Sequence, residues 1–362
     1  MKIVLFTATG AENLWDELIT LCEIREFLKE KETQITLFSH GIERTKRFLL
    51  SQKCPLENIT ILEYFPNALR KQPLKNIGLF WQTLRNIKQA DIVYIGGGGL
   101  LYGKKEEWHS PLKLWSLRVL LAKMFSKKIT YLSLGITCEK EEIQWFSRSL
   151  FKDTTITVRD SKSHKMLGEL WYSANTLPDP VWNYDISDTQ QQDIKKTIGI
   201  SLREWFLPDA LVTEIVKKLQ NEWYEIIFLP HSLHPENEAS HDGYYAQNFL
   251  FPGVKTAQSI EQTLEYYKTC HIVISMRLHS MILASIHAKP FIGISYGTKT
   301  SSLLFEIGWT HSLASSEVTI ENICAHMNDI ESHYTENQNK LREITVKMEK
   351  TYTDSSSWLL WK

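Results

Sequence analysis

The chain has 362 residues, 41 of them Lys or Arg against 42 Asp or Glu, for a formal net charge of -1. That length is too great for one ordinary core and implies two lobes of roughly 150 to 200 residues each. The balanced charge excludes a strong global field for nucleic acid or an anionic bilayer, so any anion site must be local.

Five scattered cysteines, Cys22, Cys54, Cys138, Cys270 and Cys324, never form a CxxC pair. This spacing argues against a disulfide framework or a structural zinc site and fits a reducing compartment, the cytoplasm. The opening MKIVLF is a short apolar run followed by Thr7 and Gly10, without the longer apolar core and cleavage site of a signal peptide. It reads as a first strand. The most apolar helical stretch, 113–125, is broken by charges and falls short of the roughly 20 apolar residues that a membrane crossing needs. A soluble protein is expected, with 12 tryptophans and amphipathic surfaces leaving peripheral membrane contact open.

In chain order, MKIVLF is followed by a helix over 15–31, then TQITLFS, further helices, and the strand DIVYI ending at Ile95. KITYLSLG (128–135) and TITVRD, ending at Asp160, continue the alternation, which predicts parallel strands with crossover helices. The rhythm breaks at LPDPVWNY, where two prolines flank Asp179. This reads as the connection between lobes, an ordinary surface loop being the alternative. A second series follows: TIGISLR, EIIFLP, HIVIS and PFIGIS, with helical stretches over 209–220 and 259–269. The expected division is a first lobe at 1–178, a connection at 179–190, a second lobe at 191–340, and a C-terminal helix and tail at 341–362 packing back on the first lobe.

The halves also look alike. KQADIVYIGGGGLL and KTCHIVISMRLHSM share a helix end, a strand and a turn, aligning Gly97 with Arg277 and Gly99 with His279. The expected fold class is therefore α/β, two Rossmann-like lobes facing across a cleft, with ligands at the carboxyl ends of the strands.

Residues able to carry chemistry gather at those ends. Gly96 to Gly99 follow a strand and precede an expected loop; the run is not GxGxxG and has no Lys-Ser or Lys-Thr after it. It is either a substrate-approach loop or a close-packed turn. The segment 275–300 says more: Arg277 sits in the turn after a strand, His279 falls at a helix start where amides and dipole favour an anion, and Lys299 is expected on the loop after the next strand. Cations converging there suit a small polyanion. Arg159 closes a first-lobe strand, its bland reading being an ion pair with Asp160 or a surface charge. Arg203 and His231 hold similar strand-end positions and read equally well as structural residues. His234, His241 and Asp242 share a polar loop whose spacing matches no compact metal-ligand set, so no metal is expected. His287 reads as a packed histidine. Trp108 and Trp115 are either sugar-stacking or core aromatics.

On these residues the sequence resembles the polysaccharide pyruvyl transferase family, whose fold is GT-B-like. The resemblance is strongest at MRLHS (276–280), Lys289-Pro290, FIGISY and Lys299; it includes the glycine run before Leu100, VRDS around Arg159 and PDP at 178–180. GAENLWDE (10–17) looks like the family's glycine-asparagine-glycine-aspartate opening. Departures are Trp15 where a glycine is usual, Gly297 where aspartate is frequent, and LGITC (134–138) in place of a more glycine- and proline-rich turn. They bear on the acceptor sugar more than on the donor.

By resemblance, Arg159, His279 and Lys299 are the catalytic residues. Arg277, Leu278, Ser280, Arg203 and His231 lie on the donor side in the second lobe, and Asn13, Asp16, Gly97 and Gly98 on the acceptor side in the first. The implied activity transfers a pyruvyl group from phosphoenolpyruvate, a co-substrate with no further cofactor, to a sugar diol, forming a ketal and releasing phosphate in cell-surface polysaccharide synthesis. The implied partners are phosphoenolpyruvate and a saccharide, free or lipid-linked, with no nucleic acid, at the inner face of the cell membrane. Two alternatives stand beside this. A GT-B glycosyltransferase using a nucleotide sugar would often hold the ribose with a second-lobe glutamate, yet 277–290 holds no acidic residue. A non-catalytic carbohydrate-binding relative would be expected to lose the matched Arg, His and Lys.

Overall fold

Continuous rather than alternating burial marks the strands β1 (Lys2–Phe6), β4 (Ile92–Ile95), β9 (Thr197–Ser201) and β12 (Ile272–Ser275). That pattern belongs to parallel strands covered on both faces. The structure, a computed structural model, describes residues 1–67, 72–107, 110–186, 196–203, 207–234, 241–242 and 254–356, apart from the side chain of Thr298. Trp108, residues 187–190 of the expected connection, residues 235–240 of the polar loop and residues 357–362 of the tail lie outside the described residues.

Two compact units are present. The first comprises Met1–Ala11, Trp15–Pro180 and Thr351–Lys362; the second comprises Glu12–Leu14 and Val181–Lys350. In the first unit, β2 (Gln34–Ser39), β3 (Ile59–Glu63), β5 (Gly98–Leu101), β6 (Lys128–Ile136), β7 (Thr155–Val158) and β8 (Asn175–Thr176) join β1 and β4 in a parallel sheet ordered β3-β2-β1-β4-β6-β7-β8, with β5 also on β6. Helices α1 (Leu14–Leu28), α2 (Ile42–Ser51), α3 (Pro73–Gln89), α4 (Pro111–Lys123), α5 (Lys140–Phe151) and α6 (Ser161–Glu169) connect the strands. Proline opens α3 and α4, where its missing N–H costs nothing. Asp160 caps α6 by accepting from the Ser163 amide at 2.7 Å. In this unit Leu177 packs against Tyr352 of the C-terminal helix.

The glycine run departs from expectation. Instead of opening a loop, it breaks one strand into two that share a neighbour: β4 pairs with β6 as far as Ile95 and Tyr131, and β5 resumes with Gly98 beside Leu134. Gly98 holds φ +97°, a left-handed conformation that costs a side-chain-bearing residue energy, so the break needs glycine there.

The second unit is a parallel sheet ordered β11-β10-β9-β12-β13-β14, its further strands being β10 (Glu225–Phe228), β11 (Lys255–Thr256), β13 (Phe291–Ser295) and β14 (Ser312–Ala314). Its helices are α7 (Asp209–Asn221), α8 (Ile260–Thr269), α9 (Leu278–Ile286), α10 (Thr298–Glu306), α11 (Ile320–Ser332) and α12 (Tyr334–Ser356), whose last turns belong to the first unit. Ser259 and Thr319 cap α8 and α11 by accepting from amides three residues on. Its core joins Ile198, Ile200, Ile226, Phe228, Ile272, Ile274, Ile292 and Ile294 from four adjacent strands with Val212, Val216 and Leu219 of α7. Lys299, expected on a loop, lies in the first turn of α10, because the chain re-enters a helix immediately after the extended Gly297. Among the described residues no helix is long and apolar enough to cross a membrane, and no disulfide joins the five cysteines.

Candidate functional site

In the second unit the turn after β12 is built around Ser275. Its hydroxyl accepts from the Arg277 amide and donates to the Arg277 carbonyl, both at 3.0 Å. This hairpin of contacts holds Arg277 extended (φ -87°, ψ 122°) at the N-cap of α9, with Leu278, His279 and Ser280 as the first helical residues. Among the described residues no side chain caps α9 at Arg277, and the positive end of the helix favours an anionic group.

Arg277 is fixed from behind by Asp242. The carboxylate of Asp242 takes the Arg277 guanidinium and also accepts from the backbone amides of His231 (2.9 Å) and Ser232 (3.0 Å). One acidic residue thereby locks the segment after β10 to the arginine after β12. The Arg277 side chain keeps 21% of its surface exposed, enough for a ligand to reach it, while its Nε is covered and has no hydrogen-bond partner among the described residues.

Below this turn runs a buried polar chain. The Tyr267 hydroxyl donates to Ser280 Oγ at 2.6 Å and lies 2.7 Å from His231 Nε2. If Tyr267 donates to Ser280, His231 must donate through Nε2, which leaves its buried Nδ1 as an acceptor without a partner among the described residues. Burial, helped by the nearby Arg277 charge, drives the His231 pKa down to about 3. His287, expected to be packed, closes α9 and stacks on Tyr267 at 6.2 Å; burial and then Lys289 and Lys268 lower its pKa to about 3. Both imidazoles are therefore neutral near pH 7. His279, partly exposed in the first turn of α9, is the one aligned with the helix end.

Arg203 lies two residues beyond β9 and is exposed. Lys299 follows β13 and is also exposed. Because β10, β9, β12 and β13 are consecutive neighbours, His231, Arg203, Arg277 with His279, and Lys299 all follow the carboxyl ends of adjacent strands. Asn13, expected on the acceptor side, belongs to this second unit: it bridges Ser232, with the Leu14 amide on the His231 carbonyl at 2.9 Å.

In the first unit Arg159 follows β7. Its partner is not Asp160, which is occupied in capping α6, but Asp179 of the PDP segment, at 2.8 Å with 7% and 5% of the two side chains exposed. The guanidinium also stands over Trp15, 5.6 Å from the ring centroid. Gly135 makes room for it, since a Cβ there would come within 2.9 Å of Arg159 Nε. Trp15 and Asp16 flank Gly98, each with a polar atom 3.6 Å from where a Cβ would stand. The Gly97 amide donates to the buried Glu23 carboxyl at 2.6 Å. Burial raises the Glu23 pKa to about 8, against the lowering effect of that hydrogen bond and with a further rise from Asp179.

Asp179, Asp242, Tyr267 and Glu23 are the functional candidates that sequence reasoning missed. Asp179 and Asp242 carried a signal: both stood in segments already singled out, the PDP connection and the polar loop, but were read there as a boundary and as a candidate metal ligand. Tyr267 lies inside an ordinary amphipathic helix and Glu23 inside a helix buried on nearly every side, and neither carried one. Among the described residues no group of three or more His, Cys, Asp or Glu could hold a metal ion.

Two Rossmann-like units of parallel strands define a GT-B-type α/β protein. Solved structures agree in fold. The UDP-GlcNAc 2-epimerase from Neisseria meningitidis bound to UDP-GlcNAc is similar with a TM-score of 0.63 at 12% identity, covering 100% of both chains. A glycosyltransferase from Rickettsia africae gives 0.61 at 12% identity, covering 99% of this chain and 97% of that one. The UDP-GlcNAc 2-epimerase from Methanocaldococcus jannaschii gives 0.57 at 13% identity, covering 91% and 92%. At these identities the likeness is one of fold. No significant match was found among curated proteins. The sequence profile of the polysaccharide pyruvyl transferase family, however, matches residues 16–298, and the chain belongs to that family.

Proposed function

We propose that the protein transfers the pyruvyl group of phosphoenolpyruvate to two hydroxyls of a saccharide, forming a cyclic ketal and releasing phosphate. The observation that carries this reading is that MRLHS, within the family match, forms the uncapped N-terminus of α9, with Arg277 held in place by Asp242. A partly exposed, immobilised guanidinium beside the N-terminus of a helix suits a carboxylate or phosphate, and phosphoenolpyruvate carries both.

In this reading Arg277, Lys299 and the helix end neutralise the donor, and Arg159, held by Asp179, is kept as a catalytic residue on the strength of the family membership. His279 delivers a proton to the methylene carbon, turning it into a methyl group and making C2 electrophilic. One sugar hydroxyl bonds to C2 and gives up its proton. The C2–O bond to phosphate then breaks, phosphate leaving with the bonding pair. The second hydroxyl adds to C2 and loses its proton; of the two protons released, one replaces the proton that His279 gave to carbon and the other leaves on phosphate or in solvent. Charge building on the departing phosphate is stabilised by the preorganised cations rather than by water. His231 and His287, held neutral by burial, are unsuited to proton delivery near pH 7. No cofactor beyond phosphoenolpyruvate is required, and the acceptor is taken to be a cell-surface polysaccharide precursor, free or lipid-linked, met in the cytoplasm at the inner membrane face.

The test is phosphate release from phosphoenolpyruvate over a panel of free and lipid-linked saccharides, with mass spectrometry of the product. Saccharide-dependent release and a ketal product are expected, with His279→Ala reducing turnover by at least 100-fold. Near-normal turnover in His279→Ala would remove it from proton transfer.

A further inference from the structure

A buried arginine lies outside the donor site. Arg118, in the middle of α4, is only 3% exposed and shares the buried face of the helix with Leu112, Trp115, Val119 and Ala122. Its guanidinium carbon stands 3.9 Å from the centre of the Tyr64 ring and 4.4 Å from that of Trp115. Among the described residues no carboxylate stands close to its charge, and its Nε is both covered and without a hydrogen-bond partner. Burial lowers its pKa, the Tyr64 hydroxyl being the only group that opposes this.

The place of this cation in the fold gives it meaning. Tyr64 directly follows β3, and its hydroxyl donates to the carbonyl of Thr7, directly after β1. His40, directly after β2, lies against the Tyr64 ring at 4.6 Å. The cluster thus sits at the carboxyl ends of three adjacent strands, the edge where parallel sheets collect ligands. A guanidinium buried without a counter-charge is costly, and aromatic faces offset only part of that cost. With its face taken by rings, the guanidinium has its edge left for a planar, two-pronged acceptor.

We infer that Arg118, framed by Tyr64 and Trp115, forms an oxyanion subsite in the first unit that receives a carboxylate or phosphate carried by the acceptor saccharide. The word acceptor rests on the proposed function; the anion site does not. Such a subsite would restrict acceptors to acidic sugars or sugar phosphates, a selection that the donor site cannot make.

The test is calorimetric titration of inorganic phosphate into wild type, Arg118→Met, Arg118→Lys and Arg277→Met. Wild type is expected to have a phosphate site that both Arg118 variants weaken at least tenfold and that Arg277→Met retains. Arg118→Lys keeps the positive charge at the buried position, so the site remains readable if Arg118→Met fails to fold. Absence of phosphate binding in wild type, or wild-type affinity in both Arg118 variants, would overturn the subsite. Competition then separates the sources: displacement of phosphate by glucuronate identifies a carboxylate, and by glucose 1-phosphate a phosphate. Displacement by neither would overturn the saccharide assignment. Failure of phosphoenolpyruvate turnover would remove the proposed function and leave this binding result standing.

Discussion

Arg159 and Asp179 meet at 2.8 Å with almost no exposure of either side chain, 20 residues apart in the chain and on opposite sides of β8. Removing one member of a covered pair strands the other charge, at a cost of about 3–5 kcal/mol. Asp179→Asn is therefore expected to lower stability by about that amount in urea denaturation, whereas the double change Arg159→Met with Asp179→Leu recovers much of it. Turnover should be lost in both.

Asp242 organises the other arginine. Asp242→Asn replaces a carboxylate that serves Arg277 and two backbone amides with a neutral group. The expected result is a loss of about 1–3 kcal/mol of stability and a rise of at least tenfold in the KM for phosphoenolpyruvate, measured by initial rates. An unchanged KM would separate Asp242 from donor binding.

Tyr267→Phe removes the hydroxyl that links His231 to Ser280. Two buried polar groups then lose their partner, for about 1–3 kcal/mol each. Because the change lies behind α9 rather than on the ligand, kcat is expected to fall less than in His279→Ala, a comparison made in the same phosphate-release assay.

Buried ionisable groups give the stability a pH signature. Glu23 has its pKa raised from 4.5 to about 8, so the folded chain holds a proton that the unfolded chain releases. Its contribution is full below pH 4.5 and is lost as pH rises through 8. Relative to Glu23→Gln, wild type should lose stability between about pH 5 and 8, to the extent of a few kcal/mol. His287 runs the other way. Its pKa falls from 6.5 to about 3, so its contribution is present above pH 6.5 and is lost as pH drops toward 3. A His287→Leu variant should soften acid unfolding over that interval, as followed by circular dichroism.

The strands of both sheets were legible because parallel strands covered on both faces are spelled as unbroken apolar runs, IVLF, IVYI and IVIS among them. Arg277 at a turn and His279 at a helix start were legible for a related reason: both are set by local chain geometry after a strand. What escaped was tertiary. Asp160 adjoins Arg159 in sequence, but its backbone position commits it to capping α6, and the partner comes from Asp179. Asp242 reaches Arg277 across 35 residues, a pairing without periodicity. The glycine run looked like a loop because four residues of β5 contain two glycines, and only pairing with β6 makes them a strand. Lys299 was displaced from loop to helix by a single extended residue, Gly297.

The central claim is that the chain takes phosphoenolpyruvate as its donor, and ligand-induced thermal stabilisation tests it most directly. Phosphoenolpyruvate should raise the melting temperature by an amount that grows with the logarithm of its concentration above Kd, and Arg277→Met should abolish the effect. UDP-GlcNAc should leave it unchanged. Stabilisation by UDP-GlcNAc with no response to phosphoenolpyruvate would contradict the account.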